Sequence, residues 1–172
     1  KDGYSIQMGD ANLLSQELKE KVIYNFRAND IKNNGEGAPL TPVYHKLLIN
    51  KFKINNPTLI LNIGGISNYT YCFNDTLAAK DIGPGNVLMD EYLKKTKGID
   101  YDKNGDIASS GNINKDIINQ FYEHEFYNVL ETHSFDRKEF DFSFVKGLGF
   151  EDAVATLTYF TALVISQNIK KN

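Results

Sequence analysis

The 172 residues suit one sizeable domain or two small ones, and 41% apolar with 24% charged side chains is the make-up of a folded globular chain, not a disordered one. A net charge of −3, from 19 basic and 22 acidic side chains, excludes an electrostatic footprint for nucleic acid or anionic lipid. The single cysteine, Cys72, excludes an intramolecular disulfide and a multi-cysteine zinc site, and no apolar run nears the roughly 20 residues of a membrane span, so a soluble, cytoplasmic setting is expected.

The chain opens at Lys1 without an initiator Met and closes on Lys170-Lys171-Asn172 just after an apolar stretch. That pattern is expected of a fragment, with a processed natural end as the alternative. Tyr4, Ile6 and Met8 alternate with polar positions and predict a short strand. Gly9-Asp10 offers a turn and an N-cap for a helix through Leu13, Leu14 and Leu18, and Val22 to Phe26 predicts a second strand. Residues 27–40 are polar and read as a loop of functional length. Thr41-Pro42 is an N-cap with an N1 proline for a helix through Val43, Leu47 and Leu48.

The middle is β-rich. Thr58 to Ile63 is an almost continuous apolar run, the pattern of a strand covered on both faces. Gly64-Gly65 breaks it, Tyr69 to Phe73 resumes a strand, and Asn74-Asp75 turns into a third strand over Leu77 to Ile82. An antiparallel meander is expected. Gly83-Pro84-Gly85 ends the sheet, and Asn86 opens a helix through Val87, Leu88, Tyr92 and Leu93 that stops at Gly98. Residues 99–112 read as a polar loop, Ile117 to Leu130 as a helix and Ser134 to Gly149 as irregular chain. Glu151-Asp152 begins a long final helix with a broad apolar stripe through Val154, Leu157, Phe160, Val164 and Ile165, which predicts deep packing. The class is α/β.

Two segments carry chemistry. In Asn62-Ile63-Gly64-Gly65-Ile66-Ser67-Asn68 the paired glycines either make a plain hairpin turn or let backbone amides approach an anion, with Asn62, Ser67 and Asn68 as side-chain donors. In Asp81-Ile82-Gly83-Pro84-Gly85-Asn86 a carboxylate ends an apolar strand, and a glycine loop leads into a helix N-terminus that favours phosphate. Asp81 there is a general base, an orienting group for a metal ion's waters, or only a tie for the turn. No lysine follows the glycines, so this is not a Walker loop.

The ordered combination of strand, Gly-Gly hairpin, strand, and then strand, Asp, Gly-Pro-Gly and helix resembles the anhydro-N-acetylmuramic acid kinases, relatives of the actin, hexokinase and Hsp70 ATPases. Gln7-Met8-Gly9-Asp10, Phe26-Arg27, Asp30 and Gly35-Glu36-Gly37-Ala38-Pro39-Leu40-Thr41-Pro42 are similar to that family upstream, as far as His45. Tyr101-Asp102-Lys103-Asn104-Gly105, Ser134-Phe135-Asp136-Arg137-Lys138-Glu139-Phe140 and Glu151-Asp152 with Ala155-Thr156-Leu157 follow in order downstream. The family's Gly-Thr-Ser phosphate loop and its glycine-rich adenosine motif do not occur. The resemblance therefore implies a central portion of the enzyme, part of an actin-like (ribonuclease H-like) ATPase fold. Residues 1–52 would end the first lobe and residues 53–172 would start the second. The family's cluster of three arginines stands here as Arg27-Ala28-Asn29, so only Arg27 carries over, and Glu36 stands where glutamine is commoner.

The implied reaction transfers the γ-phosphoryl group of ATP, with Mg²⁺, to 1,6-anhydro-N-acetylmuramic acid while water opens the anhydro ring, in peptidoglycan recycling. The resemblance implies Asp81 as catalytic base and Asn62, Gly64, Gly65, Ser67, Asn68, Gly83, Gly85 and Asn86 around phosphate and nucleotide. Gly83 and Gly85 would clear space for the ligands, and Arg27 and Asp30 would contact the sugar. No metal ligand is assigned, since His124 and His133 lack partners at suitable spacing. The fragment alone is expected to be inactive. Its apolar final helix, left uncovered, would favour self-association, with a homodimer the simplest form. Two alternatives stand beside this: a non-catalytic sugar- or nucleotide-binding module, and a glycoside hydrolase using Asp81 and Asp90 as paired carboxylates.

Overall fold

A computed structural model describes residue 6 and residues 8–35, 37–55, 57–122 and 141–170. The chain divides into two compact units, Lys1–Asn55 and Asn56–Asn172.

In the first unit, α1 (Ala11–Leu18) starts as the sequence predicts, with the Asp10 carboxylate accepting from the Asn12 and Leu13 amides at 2.9 and 3.0 Å. The polar stretch after it holds a short helix, α2 (Ala28–Lys32), that the loop reading over 27–40 missed. Thr41 sits at the N-cap of α3 (Pro42–Phe52), yet the proline, not the threonine side chain, is what shapes that start. Of the two strands expected here, the second is corrected and most of the first lies outside the described residues. Tyr4 lies outside the described residues, Ile6 and Met8 are in no strand, and Val22 to Phe26 is irregular. A lone segment with strand composition has no ladder to join, and no described neighbour supplies one.

The second unit contains the expected meander. Strands β1 (Thr58–Ile63), β2 (Ile66–Phe73) and β3 (Thr76–Pro84) pair antiparallel in the order β1-β2-β3. Helix α4 (Val87–Lys97) follows at the end of β3 and stops at Gly98, whose φ of 68° is the left-handed value a C-terminal glycine adopts without strain. Residues 99–112 are not simply a loop. They form a short 3₁₀ turn at Lys103–Gly105 and helix α5 (Asp106–Ser110), whose first free amides, Ile107 and Ala108, donate to the Asp102 carboxylate at 3.0 and 2.9 Å. Asp102→Ala is accordingly expected to cost about 1 kcal/mol, the usual worth of a lost cap, read as a small drop in the midpoint of chemical denaturation. Helix α6 is described over Lys115–Tyr122. The rest of its predicted span, Glu36, His124, His133 and the 134–140 motif lie outside the described residues.

The final helix, α7 (Phe150–Lys170), organises the core. Its stripe of Ala153, Leu157, Phe160 and Val164 packs with Val87, Leu88, Ile118 and Val145, while Ile165 joins Tyr69 and Ile82. The stripe is thus buried inside the unit, the deep packing that its breadth predicts, and is not left as a surface for self-association. The expectation for β1 fails in the opposite sense: Leu59, Leu61 and Ile63 are 36, 37 and 49% exposed. One helix is about 10 Å wide and strands lie about 4.8 Å apart, so a single helix seated on β3 covers about two strands and leaves β1 at the edge.

Candidate active site

Residues directly opposite one another in paired strands share a face. Asn62 of β1 is opposite Asn68 of β2, and Asn68 is opposite Asp81 of β3. The three polar side chains therefore form one row across the sheet at the end where Gly64-Gly65 and Gly83-Pro84-Gly85 emerge. Asn62 is exposed, and Asn68 and Asp81 are half-buried. The register shifts by one residue between Ser67 and Asn68, where Ser67 faces Gly83, so β3 carries one extra residue, a bulge, directly after Asp81. The bulge breaks the regular alternation of faces, so the Ser67–Gly83 pair lies on the other face directly after the Asn68–Asp81 pair.

The two glycine segments are joined by their backbones. Gly85 and Val87 donate their amides to the Gly65 carbonyl at 2.8 and 3.2 Å, and the Asn86 amide donates to the Gly64 carbonyl at 2.7 Å. Gly64-Gly65 is thus a hairpin turn, as the plainer reading of the sequence has it, and its carbonyls dock the start of α4. A Cβ on Gly85 would lie 2.1 Å from the Gly64 oxygen and 3.1 Å from the Ser67 hydroxyl. A Cβ on Gly83, whose φ is 135°, would lie 2.6 Å from the Val164 side chain. Protein atoms thus occupy the place where a side chain on either glycine would stand.

Ser67 is likewise turned inward. It is fully buried, on the face opposite Asn68, and its hydroxyl donates to the Pro84 carbonyl at 3.2 Å. Beneath it, α7 adds two side chains that sequence reasoning did not single out. Thr161 donates to the Gly85 carbonyl at 3.3 Å, and Asn168 donates to the Ile82 carbonyl at 3.1 Å. Their signal was available as polar residues within the apolar stripe, at the spacing of Thr161, Val164, Ile165 and Asn168. The site therefore has an open layer, with Asn62, Gly64, Gly65, Asn68, Asp81 and Asn86, over a buried layer with Ser67, Gly83, Gly85, Thr161 and Asn168.

Arg27 and Asp30 belong to the first unit. Both hold the Gly37 peptide: the Arg27 guanidinium donates to its carbonyl, and the Asp30 carboxylate accepts from its amide at 2.7 Å. Asp30 also accepts the Gly35 amide on its own carbonyl at 2.8 Å. The two side chains thereby shape the loop that leads into α3. Downstream, Asp152 and Thr156 also act on the backbone, accepting the amides of Asn112 and Asn114 at 2.7 and 3.0 Å and fastening the entry to α6 onto α7. Among the described residues no three His, Cys, Asp or Glu side chains gather as a metal cluster, and no helix is long and apolar enough to cross a membrane.

The family model for anhydro-N-acetylmuramic acid kinase matches residues 1–172, the entire chain. The chain belongs to that family. The family is part of the actin-like ATPase superfamily, with which the three-stranded antiparallel sheet flanked by helices agrees. Among curated relatives, the anhydro-N-acetylmuramic acid kinase of Pelagibacter ubique is 49% identical over 98% of this chain and 46% of its own length. Those of Zymomonas mobilis and Nitrobacter winogradskyi are 38 and 37% identical, over 97 and 95% of the chain and 46 and 45% of theirs. The chain spans about half the length of the curated relatives it matches.

Proposed function

We propose that this chain is the central part of an ATP-dependent sugar kinase that converts 1,6-anhydro-N-acetylmuramic acid to N-acetylmuramic acid 6-phosphate, a step of peptidoglycan recycling. The activity belongs to the full-length protein. Residues 1–52 supply the end of the first lobe and residues 53–172 the start of the second. The observation that carries the reading is the Asn62–Asn68–Asp81 row, set at the sheet end where the two glycine segments are bonded together.

Asp81 serves as the general base. Its carboxylate takes a proton from a water whose oxygen bonds to the anomeric carbon, as the bond from that carbon to the bridging oxygen breaks. The bridging oxygen, which becomes O6, takes the γ-phosphoryl group, and ADP leaves. A positioned base contributes typically about 10²–10⁴-fold. Asn62 and Asn68 are donors that orient water or phosphate beside it, and the Gly64-Gly65 turn borders the phosphate with Asn86. Gly83, Gly85 and Ser67 act from beneath by fixing the loop. Arg27 and Asp30 shape a loop that contacts the sugar, with a charge-assisted bond from Arg27 to its carboxylate.

One carboxylate at the end of a row with two carboxamides is a hard-oxygen set that fits Mg²⁺ brought in by the nucleotide and kept partly hydrated. Asp81, Asn62 and Asn68 would meet it through its waters, and the ion would offset charge on the phosphates. The test is mass analysis of the product of the full-length protein with ATP and the anhydro sugar. A product that gains both a phosphate and the elements of water supports the reading. A gain of phosphate alone would overturn ring opening, and sugar binding without ATP consumption would favour a non-catalytic module.

A further inference from the structure

Three buried polar side chains hold the backbone that follows Asp81. Asn168, 6% exposed, donates to the carbonyl of Ile82; Ser67, fully buried, donates to that of Pro84; and Thr161, 5% exposed, donates to that of Gly85. Asn168 also donates to the Val164 carbonyl of its own helix at 3.0 Å, so its amide bridges α7 to β3. A helix that needed only to bury a face would carry Leu or Val at 161 and 168, because a buried polar group must be hydrogen-bonded merely to offset its desolvation. These positions trade apolar burial for directional contacts, and those contacts converge on one segment.

That segment is where register matters most. The bulge after Asp81 leaves Ile82 as the residue that decides which face the carboxylate takes, since a slip of one residue would exchange the faces of Asp81 and Ile82. The Ile82 side chain is anchored against Tyr69 and Ile165, and its carbonyl is held by Asn168. One residue further on, Val164 of the same helix sits where a Gly83 side chain would be. We infer that Asn168, supported by Thr161, is a positioning residue for the Asp81 carboxylate, holding the bulged end of β3 so that the carboxylate stays in the row with Asn68 and Asn62. The inference rests on the reading of Asp81 as the general base.

The test is a double-mutant cycle in the full-length protein, with turnover, both KM values and the thermal midpoint measured for each variant. Asn168→Leu keeps the volume and removes the donor. It is expected to lower kcat roughly tenfold with KM unchanged, since displacing a reacting group by a fraction of an ångström already costs on that order. Placed on Asp81→Asn, it should cost no further rate, because residues that act through one group are not additive. A lowered thermal midpoint with normal kcat would make Asn168 merely structural and overturn the inference. So would a loss that multiplies undiminished onto Asp81→Asn. Where Asn168→Leu fails to fold, Thr161→Val carries the same cycle, with Thr161→Ser expected to restore the rate and its failure to do so counting against the inference. An Asp81→Asn variant of undiminished kcat would overturn the base assignment and this inference together, an outcome distinct from the failure of the positioning role alone.

Discussion

Asp81→Asn in the full-length protein is expected to lower kcat by roughly 10²–10⁴-fold while leaving sugar binding intact. The substitution keeps size and most hydrogen-bonding capacity, so the row with Asn68 and Asn62 can persist, but it removes the group that accepts the water's proton. Binding constants for sugar and nucleotide separate two roles for the same carboxylate. A base acts on the transition state alone, so both affinities survive. A carboxylate that holds Mg²⁺ or phosphate geometry would instead weaken nucleotide binding together with the rate. A variant with near-normal kcat would mean that Asp81 only ties the turn, and the proposed mechanism would fall.

Gly85→Ala is expected to have the largest structural effect of any single methyl in the site. The added carbon would be placed 2.1 Å from the oxygen and 3.0 Å from the carbon of the Gly64 carbonyl, backbone atoms held in a tight hairpin. Relief requires separating the Gly64-Gly65 turn from the start of α4, with loss of the bonds from the Gly85, Asn86 and Val87 amides. Three backbone hydrogen bonds at about 1 kcal/mol each, together with overpacking, give a destabilisation of roughly 3–5 kcal/mol. Chemical denaturation measures it, and activity should vanish with it. The contrast is Gly83→Ala. There the clash at 2.6 Å is with a Val164 side-chain methyl on a helix, which has more freedom to shift, so the left-handed backbone sets much of the penalty. A Gly85→Ala protein of unchanged stability would show that the two segments are not bonded in solution.

The sequence by itself determined the elements whose causes are local. Asp10 before α1, Pro42 at the start of α3, the turn at Asn74-Asp75 and Gly98 after α4 each act within a few residues, and each stands where the pattern places it. The meander was legible for the same reason, since Gly-Gly and Asn-Asp turns between apolar runs leave antiparallel neighbours as the short connection. Short-range pattern also misled. Val22 to Phe26 has strand composition but no ladder to join, and the amides of α5 depend on Asp102, which a polar stretch does not advertise.

Only the tertiary structure decided which side of the site each residue serves. Asn62, Ser67, Asn68, Gly83 and Gly85 look alike in the sequence as small polar or glycine residues near Asp81. The pairing register puts Asn62 and Asn68 in a row with Asp81, while the bulge and the seat of α7 turn Ser67, Gly83 and Gly85 inward. Thr161 and Asn168 stand 80 and 87 positions from Asp81 and reach its loop only because α7 packs on β3. Covering of the apolar faces was decided in the same way. The pattern of β1 and α7 shows that both can be buried, but one helix is wide enough to cover only about two strands, so α7 and β3 bury each other while Leu59, Leu61 and Ile63 remain at the edge.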